Sequence, residues 1–181
     1  QAAGAQVERP RPADLRGVRA LIVDDNATSR EILTRHLASW GLRPAEAEDG
    51  PAGLRALVRA VEEHDPFRLA VIDMQMPGMD GAALGEAIAA DPRLAATRMV
   101  MLTSLGTRGD ARRFEAIGFR AYATKPIRHQ DLKAVLSLAL AEPDGPARPA
   151  QPLATRHLVR ETRQRFAGRK ARVLLAEDNI T

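Results

Sequence analysis

Four apolar runs in this sequence are each followed by side chains that can take part in ionic or metal chemistry. The first run ends in Asp24 and Asp25, and the later ones end in Asp73, Thr103 and Lys125. Short, continuous apolar runs are typical of strands buried on both faces of a parallel sheet. Because ligands of such sheets bind beyond the carboxyl ends of the strands, we expect these five side chains to converge.

Three of these side chains are carboxylates, and their convergence limits what else the site can contain. Carboxylates brought together without a cation repel one another, which raises their pKa values. Lys125 and a hard divalent cation would balance Asp24, Asp25 and Asp73. Magnesium suits such a site because it takes oxygen ligands, keeps several waters and needs few protein oxygens. The sequence therefore predicts a Mg²⁺ site with a lysine beside it.

The elements that position these residues alternate between apolar runs and amphipathic stretches. Thr28 and Glu31 have the spacing of a capping box, which predicts the start of the first helix. Five strands alternating with five helices are typical of a three-layer α/β domain with a parallel sheet. The predicted strands are 19–23, 43–47, 69–72, 99–102 and 120–124, and the predicted helices begin near residues 28, 51, 82, 110 and 130.

The composition excludes several classes of protein. The chain has 181 residues, 45% of them hydrophobic, which is enough for one ordinary domain and too apolar for a wholly disordered chain. The absence of cysteine excludes disulfides, thiolate catalysis and cysteine-ligated zinc, and it fits a reducing cytoplasm. No apolar run is long enough to span a bilayer, and no signal peptide is expected. A cytoplasmic location is therefore expected for this segment, whether or not a longer protein that contains it is anchored in a membrane.

The positive charge is concentrated in one stretch. The chain has a formal net charge of +4, yet residues 148–172 contain eight basic residues and one acid, so the rest is mildly acidic. This basic stretch has no aromatic residues interleaved with its charges except Phe166, and it has no recognisable nucleic-acid-binding motif. We expect a solvated linker here and no nucleic-acid partner.

Four motifs in order resemble the receiver domain of two-component response regulators. They are Asp24-Asp25, the segment from Asp73 to Gly81 (DMQMPGMDG), Thr103-Ser104, and the segment from Tyr122 to Pro126 (YATKP). The resemblance covers about residues 17–142. It implies a flavodoxin-like (βα)5 three-layer sandwich with the sheet order 2-1-3-4-5.

The resemblance also implies the parts of a phosphorylation site. Asp73 corresponds to the phosphoacceptor, Lys125 to the group that neutralises the phosphoryl charge, and Thr103 to a hydroxyl donor to a phosphoryl oxygen. Tyr122 corresponds to the aromatic residue of the conformational switch. Phosphoryl transfer depends on positioning and on stabilising the charge of the equatorial oxygens, which agrees with these residue types.

Mg²⁺ ligands follow from the same resemblance. Asp25 and Asp73 would bind the ion directly, together with the backbone carbonyl of Gln75, and Asp24 would act through a water. Gln75 and Leu105 would flank the line of attack of a hydrolytic water. Because apolar Leu105 cannot orient a water, slow self-hydrolysis of the phosphoaspartate is predicted.

Two other functions remain as alternatives. A haloacid-dehalogenase-like phosphatase would have Asp-x-Asp-x-Thr after the first strand, and here Asn26 replaces the second aspartate. An amide cannot serve as the general acid of that reaction. A degenerate receiver could act as a docking module without phosphorylation. Loss of an acidic site residue or of Lys125 would favour this function, and the chain keeps them all. Magnesium-dependent labelling by a small phosphodonor would distinguish the three.

The histidines supply no kinase motif. His36, His64, His129 and His157 lie in different segments and lack the spacing of metal ligands, so structural or solvated roles are predicted. His157 is followed by leucine, whereas a kinase phospho-histidine box has an acid at that position. Any catalytic activity is therefore expected in a parent chain.

The chain ends by repeating its own opening. Residues 172–181 (RVLLAEDNIT) match residues 19–28 (RALIVDDNAT) in their order of basic, apolar, acidic, amide and hydroxyl residues. The expected organisation is a linker over 1–16, a receiver over 17–142, a Pro-rich then basic linker over 143–171, and the first strand of a truncated second receiver over 172–181. Tandem receivers favour a hybrid sensor histidine kinase as the parent. The expected partners are a histidine kinase or phosphotransfer domain and the second receiver.

Overall fold

Five parallel strands form one sheet in the order β2-β1-β3-β4-β5. The computed structural model describes residues 13–104 and 110–141. The strands are β1 Arg19–Val23, β2 Arg43–Ala47, β3 Leu69–Asp73, β4 Arg98–Thr103 and β5 Phe119–Thr124. The helices are α1 Ala27–Ser39, α2 Gly50–Glu62, α3 Gly81–Ala90, α4 Asp110–Ile117 and α5 His129–Leu140. The predicted flavodoxin-like architecture and strand order are confirmed.

Two hydrophobic layers cover the two faces of the sheet. In β3, Leu69 and Val71 pack in the layer that contains the apolar residues of α1 and α5. Ala70 and Ile72 pack in the other layer, with residues of α2, α3 and α4. Because successive strand residues point to opposite faces, a strand covered on both sides must be apolar throughout. This is why β1, β3 and β4 are continuous apolar runs.

The strand ends that carry the candidate residues lie level with one another. Val23, the last residue of β1, is paired with Ala47 on one side and with Ile72 on the other. Asp73 pairs with Leu102, and Thr103 pairs with Thr124. In a parallel sheet, all the carboxyl ends meet at one edge. The residues that directly follow β1, β3, β4 and β5 therefore lie side by side at this edge.

The start of α1 differs from the prediction. Asn26 is the N-cap, and its Oδ1 accepts a hydrogen bond from the Ser29 N–H at 3.0 Å. Thr28 lies inside the helix, so the predicted capping box is wrong. Asn26 keeps extended dihedral angles as the chain leaves β1, and asparagine is among the strongest N-cap residues. The buried face of α1 contains Leu33 and Leu37, while Ile32 is 48% exposed.

Two packed segments are not predicted by hydrophobic periodicity. A 3-10 helix at Pro92–Leu94 buries Leu94 in the core. Part of the predicted linker over 1–16 also packs on the domain, since Leu15 is buried and the Ala13 N–H donates to the Ser137 carbonyl at 3.2 Å. Both segments are too short for hydrophobic periodicity to appear.

Several predictions concern residues outside the described ranges. They are the linker over 1–12, the effect of Leu105, the linker over 143–171 and the second-receiver strand over 172–181. Within 13–104 and 110–141, no helix has the length and apolar character needed to cross a membrane.

Candidate functional site

The loops that carry the site are anchored by hydrogen bonds that continue the sheet. The Asp24 N–H donates to the carbonyl of Ala47 at 3.2 Å, one residue past the end of β1. The Lys125 N–H donates to the carbonyl of Thr103 at 2.8 Å, one residue past the end of β5. Asp73 is itself the last residue of β3. The backbone hydrogen bonds of the sheet therefore extend to Asp24 and Lys125.

Three carboxylates meet at this edge. One oxygen from each of Asp24, Asp25 and Asp73 lies within 4.8 Å of the others. Asp24 and Asp73 are buried, at 1% and 6% exposure, while Asp25 is exposed. Converging carboxylate oxygens with one open side are a donor set suited to a hard cation that keeps some of its waters. The chemistry of these side chains thus fits Mg²⁺.

Lys125 bridges the two buried carboxylates. Its Nζ lies 2.8 Å from Asp24 Oδ2 and 2.5 Å from Asp73 Oδ1. Burial alone would lower the pKa of the ammonium, but its hydrogen bonds to Asp24 and Asp73 outweigh this and raise it. Lys125 therefore stays positively charged in the site, where it can balance negative charge.

The groups around Asp73 act on the pKa of its carboxyl in opposite directions, and their net effect is to raise it. Burial raises the pKa of its carboxyl, and the charge of Asp24 adds to this, whereas Lys125 and the Gln75 N–H oppose it. The Gln75 N–H donates to Asp73 Oδ2 at 3.1 Å.

A Cβ at Gly81 would overlap the carbonyl of Asp73, so a glycine is needed for α3 to begin this close to the site.

The first turn of α1 supports Asp24 through residues that the sequence analysis missed. Asp24 Oδ1 accepts a hydrogen bond from the Asn26 N–H at 2.9 Å, and Oδ2 accepts one from Ser29 Oγ at 2.6 Å. Arg30 Nη1 donates to the Asp24 carbonyl at 2.7 Å. A signal was available, because a buried carboxylate needs donors and Ser29 and Arg30 are polar residues in the helical turn that follows it.

Thr103 and Tyr122 lie on adjacent strands. Thr103 ends β4 and is 3% exposed. Tyr122 pairs with Met101 in the β4–β5 ladder and is half-buried. Its ring centroid lies 5.9 Å from that of Phe114 in α4. Tyr122 therefore lies between the sheet and α4.

Two of the scattered histidines meet in the folded chain. His36 in α1 and His129 in α5 have ring centroids 4.5 Å apart in an edge-to-face arrangement. Trp40 Nε1 donates to His129 Nε2 at 3.0 Å. Burial and the charge of His129 lower the pKa of His36. We call His36, Trp40 and His129 the helix-seam cluster. These residues join α1 to α5, two helices that are far apart in the sequence.

Comparison with known proteins identifies the family. Residues 20–137 match the family described as the response regulator receiver domain. The chain belongs to this family. Chemotaxis protein CheY of Pseudomonas aeruginosa is 35% identical to it over 117 residues, covering 64% of this chain and 90% of CheY.

Two further relatives show the range of proteins that contain such a domain. Sensor protein GacS of Pseudomonas syringae is 32% identical over 139 residues, which is 73% of this chain but 15% of GacS. Thus the receiver spans nearly all of CheY and a small part of GacS. The structure of Vibrio cholerae chemotaxis protein CheY4 superimposes with a TM-score of 0.59 at 25% identity, covering 66% of this chain and 96% of that one.

Proposed function

We propose that this receiver domain accepts a phosphoryl group on Asp73 from a phospho-histidine of a kinase or phosphotransfer domain. The observation that carries the proposal is the buried Asp73 carboxylate, with Lys125 Nζ at 2.5 Å and two further carboxylates beside it. In the transfer, the P–N bond to the donor imidazole breaks as a P–O bond to Asp73 forms. The imidazole keeps the electron pair and takes a proton from solvent.

Magnesium is the cofactor proposed for this transfer. Asp25 and Asp73 would bind it directly, together with the backbone carbonyl of Gln75, and Asp24 would bind it through a water. The support is the group of carboxylate oxygens within 4.8 Å of one another. When bound, Mg²⁺ supplies positive charge that orients the phosphoryl group and stabilises its oxygens.

The remaining side chains would act on the phosphoryl oxygens. Lys125 already contacts Asp73, so its ammonium can follow the growing negative charge with little movement. Thr103 would donate its hydroxyl to another phosphoryl oxygen, and the small side chain of Ser104 leaves this approach open. The sheet holds Lys125 and Thr103 at one edge before the phosphodonor binds, which reduces the reorganisation needed for transfer.

Asp73→Asn tests the proposal directly. We expect labelling by acetyl phosphate in the presence of Mg²⁺ to disappear in this variant, because the amide keeps the shape of the side chain but lacks the nucleophilic oxygen. Asp14→Asn, which alters an exposed aspartate outside the site, serves as the control and should be labelled like the natural chain. Labelling of Asp73→Asn at the rate of the natural chain would show that Asp73 is not the phosphoacceptor.

The proposed consequence of phosphorylation is a change in Tyr122. Movement of Thr103 towards the phosphoryl group would open space beside β4, and Tyr122 lies on the neighbouring strand in contact with Phe114 of α4. Phosphorylation would thereby favour one Tyr122 rotamer and change the surface formed by α4 and β5.

The two alternative functions have less support. A phosphatase of the haloacid-dehalogenase type would need a general acid at Asn26, whose side chain caps α1 through the Ser29 N–H. A docking module without phosphorylation would use Lys125 only to balance the charge of two buried carboxylates, and would give it no part in chemistry.

A hybrid sensor histidine kinase is the parent that we propose for this receiver. The support is the repeat of residues 19–28 at 172–181 and the similarity to a segment of GacS. In this proposal a receiver over 17–142 is joined by a linker over 143–171 to a second receiver that begins near Arg172. Its partners would be the phosphodonor domain and that second receiver, all in the cytoplasm.

A further inference from the structure

Asp24 is oriented by a hydroxyl from α1. Ser29 Oγ donates to Asp24 Oδ2 at 2.6 Å, and Lys125 Nζ contacts the same oxygen at 2.8 Å. The Asn26 N–H occupies the other oxygen, Oδ1, at 2.9 Å. Asp24 is only 1% exposed, so these protein donors, rather than bulk water, set the direction of its carboxylate.

The two donors on Asp24 Oδ2 differ in how freely they can leave. Lys125 has a flexible stem and also contacts Asp73 Oδ1 at 2.5 Å, so a phosphoryl group on Asp73 would draw its ammonium away. Ser29 is in the first turn of α1, where its N–H donates to the Asn26 cap at 3.0 Å. Its hydroxyl therefore stays beside Asp24 when Lys125 moves.

We propose that Ser29 is a positioning residue for Asp24, holding its carboxylate ready for Mg²⁺ and keeping Oδ2 hydrogen-bonded while Lys125 serves the phosphoryl group. This rests on the proposed phosphoacceptor function. A buried carboxylate oxygen left without a donor is costly, so the site would otherwise keep Lys125 on Asp24. Ser29 thus releases Lys125 for transfer without touching the reacting atoms itself.

The test measures Mg²⁺ binding by the amide NMR shifts of Asp25 and Gln75 in the full chain, and labelling by acetyl phosphate as a function of Mg²⁺. Ser29→Ala removes the hydroxyl, and Ser29→Thr keeps one. We expect Mg²⁺ to bind about 10-fold more weakly to Ser29→Ala, the usual effect of removing a residue that orients a metal ligand. Saturating Mg²⁺ should restore only part of the labelling rate of Ser29→Ala, because Lys125 would stay on Asp24 Oδ2. Ser29→Thr should restore both the affinity and the rate.

Ser39→Ala is the matched control. Ser39 is also in α1, and its exposed hydroxyl donates to the His36 carbonyl at 2.7 Å, at the end of the helix opposite the site. This variant should bind Mg²⁺ like the natural chain. Thermal unfolding of all four proteins without Mg²⁺ shows whether any variant has lost its fold.

Each outcome decides a different point. A natural chain that neither binds Mg²⁺ nor becomes labelled would overturn the proposed function itself. If the natural chain is active and Ser29→Ala has the same affinity, even with a lower melting temperature, Ser29 is merely structural and the inference is wrong. Folded Ser29→Thr with the weak affinity of Ser29→Ala would also overturn it, because the hydroxyl would not be the cause.

Discussion

Two regions join residues distant in sequence, but by different means: the strand-end site (Asp24, Asp25, Asp73, Thr103 and Lys125) and the helix-seam cluster. At the strand ends, Lys125 contacts two carboxylates that are almost fully buried. In the helix-seam cluster, Trp40 and His129 share one hydrogen bond of 3.0 Å at the surface, beside a half-buried His36. One region balances buried charges, and the other packs aromatic rings around a neutral hydrogen bond.

This difference determines how much each region depends on its members. A buried charge that loses its partner is strongly destabilising, because neither water nor another group replaces the partner. An exposed neutral hydrogen bond is exchanged for bonds to water at a small net cost. We therefore expect the strand-end site to respond sharply to single substitutions and the helix-seam cluster to respond weakly.

The largest expected difference is between Lys125→Met and Trp40→Phe. Lys125→Met leaves Asp24 and Asp73 facing each other without a cation, and should lower the free energy of unfolding by about 3 kcal/mol without Mg²⁺. That is the low end of the usual range, because the Lys125 side chain is 27% exposed. Trp40→Phe keeps a ring but removes the N–H donor, and should cost about 1 kcal/mol. Denaturant unfolding followed by circular dichroism measures both.

Lys133→Met is the control for the lysine substitution. Lys133 is an exposed residue of α5, and its replacement should change the free energy of unfolding little. Equal losses of unfolding free energy in Lys125→Met and Trp40→Phe would contradict the comparison. The buried ion pairs would then contribute no more to stability than the surface hydrogen bond.

Mg²⁺ should stabilise the folded chain, and it should do so through the strand-end site alone. An ion that binds only the folded chain adds about 1.4 kcal/mol to the free energy of unfolding at ten times its dissociation constant. Asp25→Asn should remove most of this gain, because exposed Asp25 is proposed to bind the ion directly. His36→Gln, altered in the helix-seam cluster, should retain it. A full Mg²⁺ gain in Asp25→Asn, measured by thermal unfolding, would argue against that ligand.

The smallest expected effect is the response of the helix-seam cluster to acid. The pKa of His36 is lowered from the usual 6.5 by burial and by His129, so the folded chain binds its proton less readily than the unfolded chain. The resulting stability is fully present above pH 6.5, and it is lost as the pH falls from there through the lower pKa of the folded chain. His36→Gln should flatten this part of the stability profile.

Trp40 reports on the same event, since the chain has one tryptophan and its ring centroid lies 6.0 Å from that of His36. A positive charge that forms on His36 changes the electric field at the indole. The fluorescence of Trp40 should therefore change with acid in the natural chain and not in His36→Gln. Emission that is constant between pH 8 and pH 5 would exclude a titrating cluster.

The strand-end site could be predicted largely because the sheet does the positioning. Apolar runs buried on both faces are conspicuous in a sequence, and parallel strands bring their carboxyl ends to one edge. Any polar residue directly after such a run, as with Asp24, Asp73 and Lys125, must then lie near the others. The bounds of α1 were harder, because Asn26 and Thr28 are both good capping residues and the choice depends on the path of the chain after β1.

The sequence by itself determined the order of strands and helices, the parallel sheet and the set of residues at its carboxyl edge. These follow from the period of the apolar residues and from the short range over which caps and turns act. Only the tertiary structure decided that Ser29 reaches Asp24, that Lys125 bridges two carboxylates, and that His36 meets His129. Such contacts depend on the packing of helices against the sheet, and no local spacing along the chain encodes the distance between side chains on separate elements.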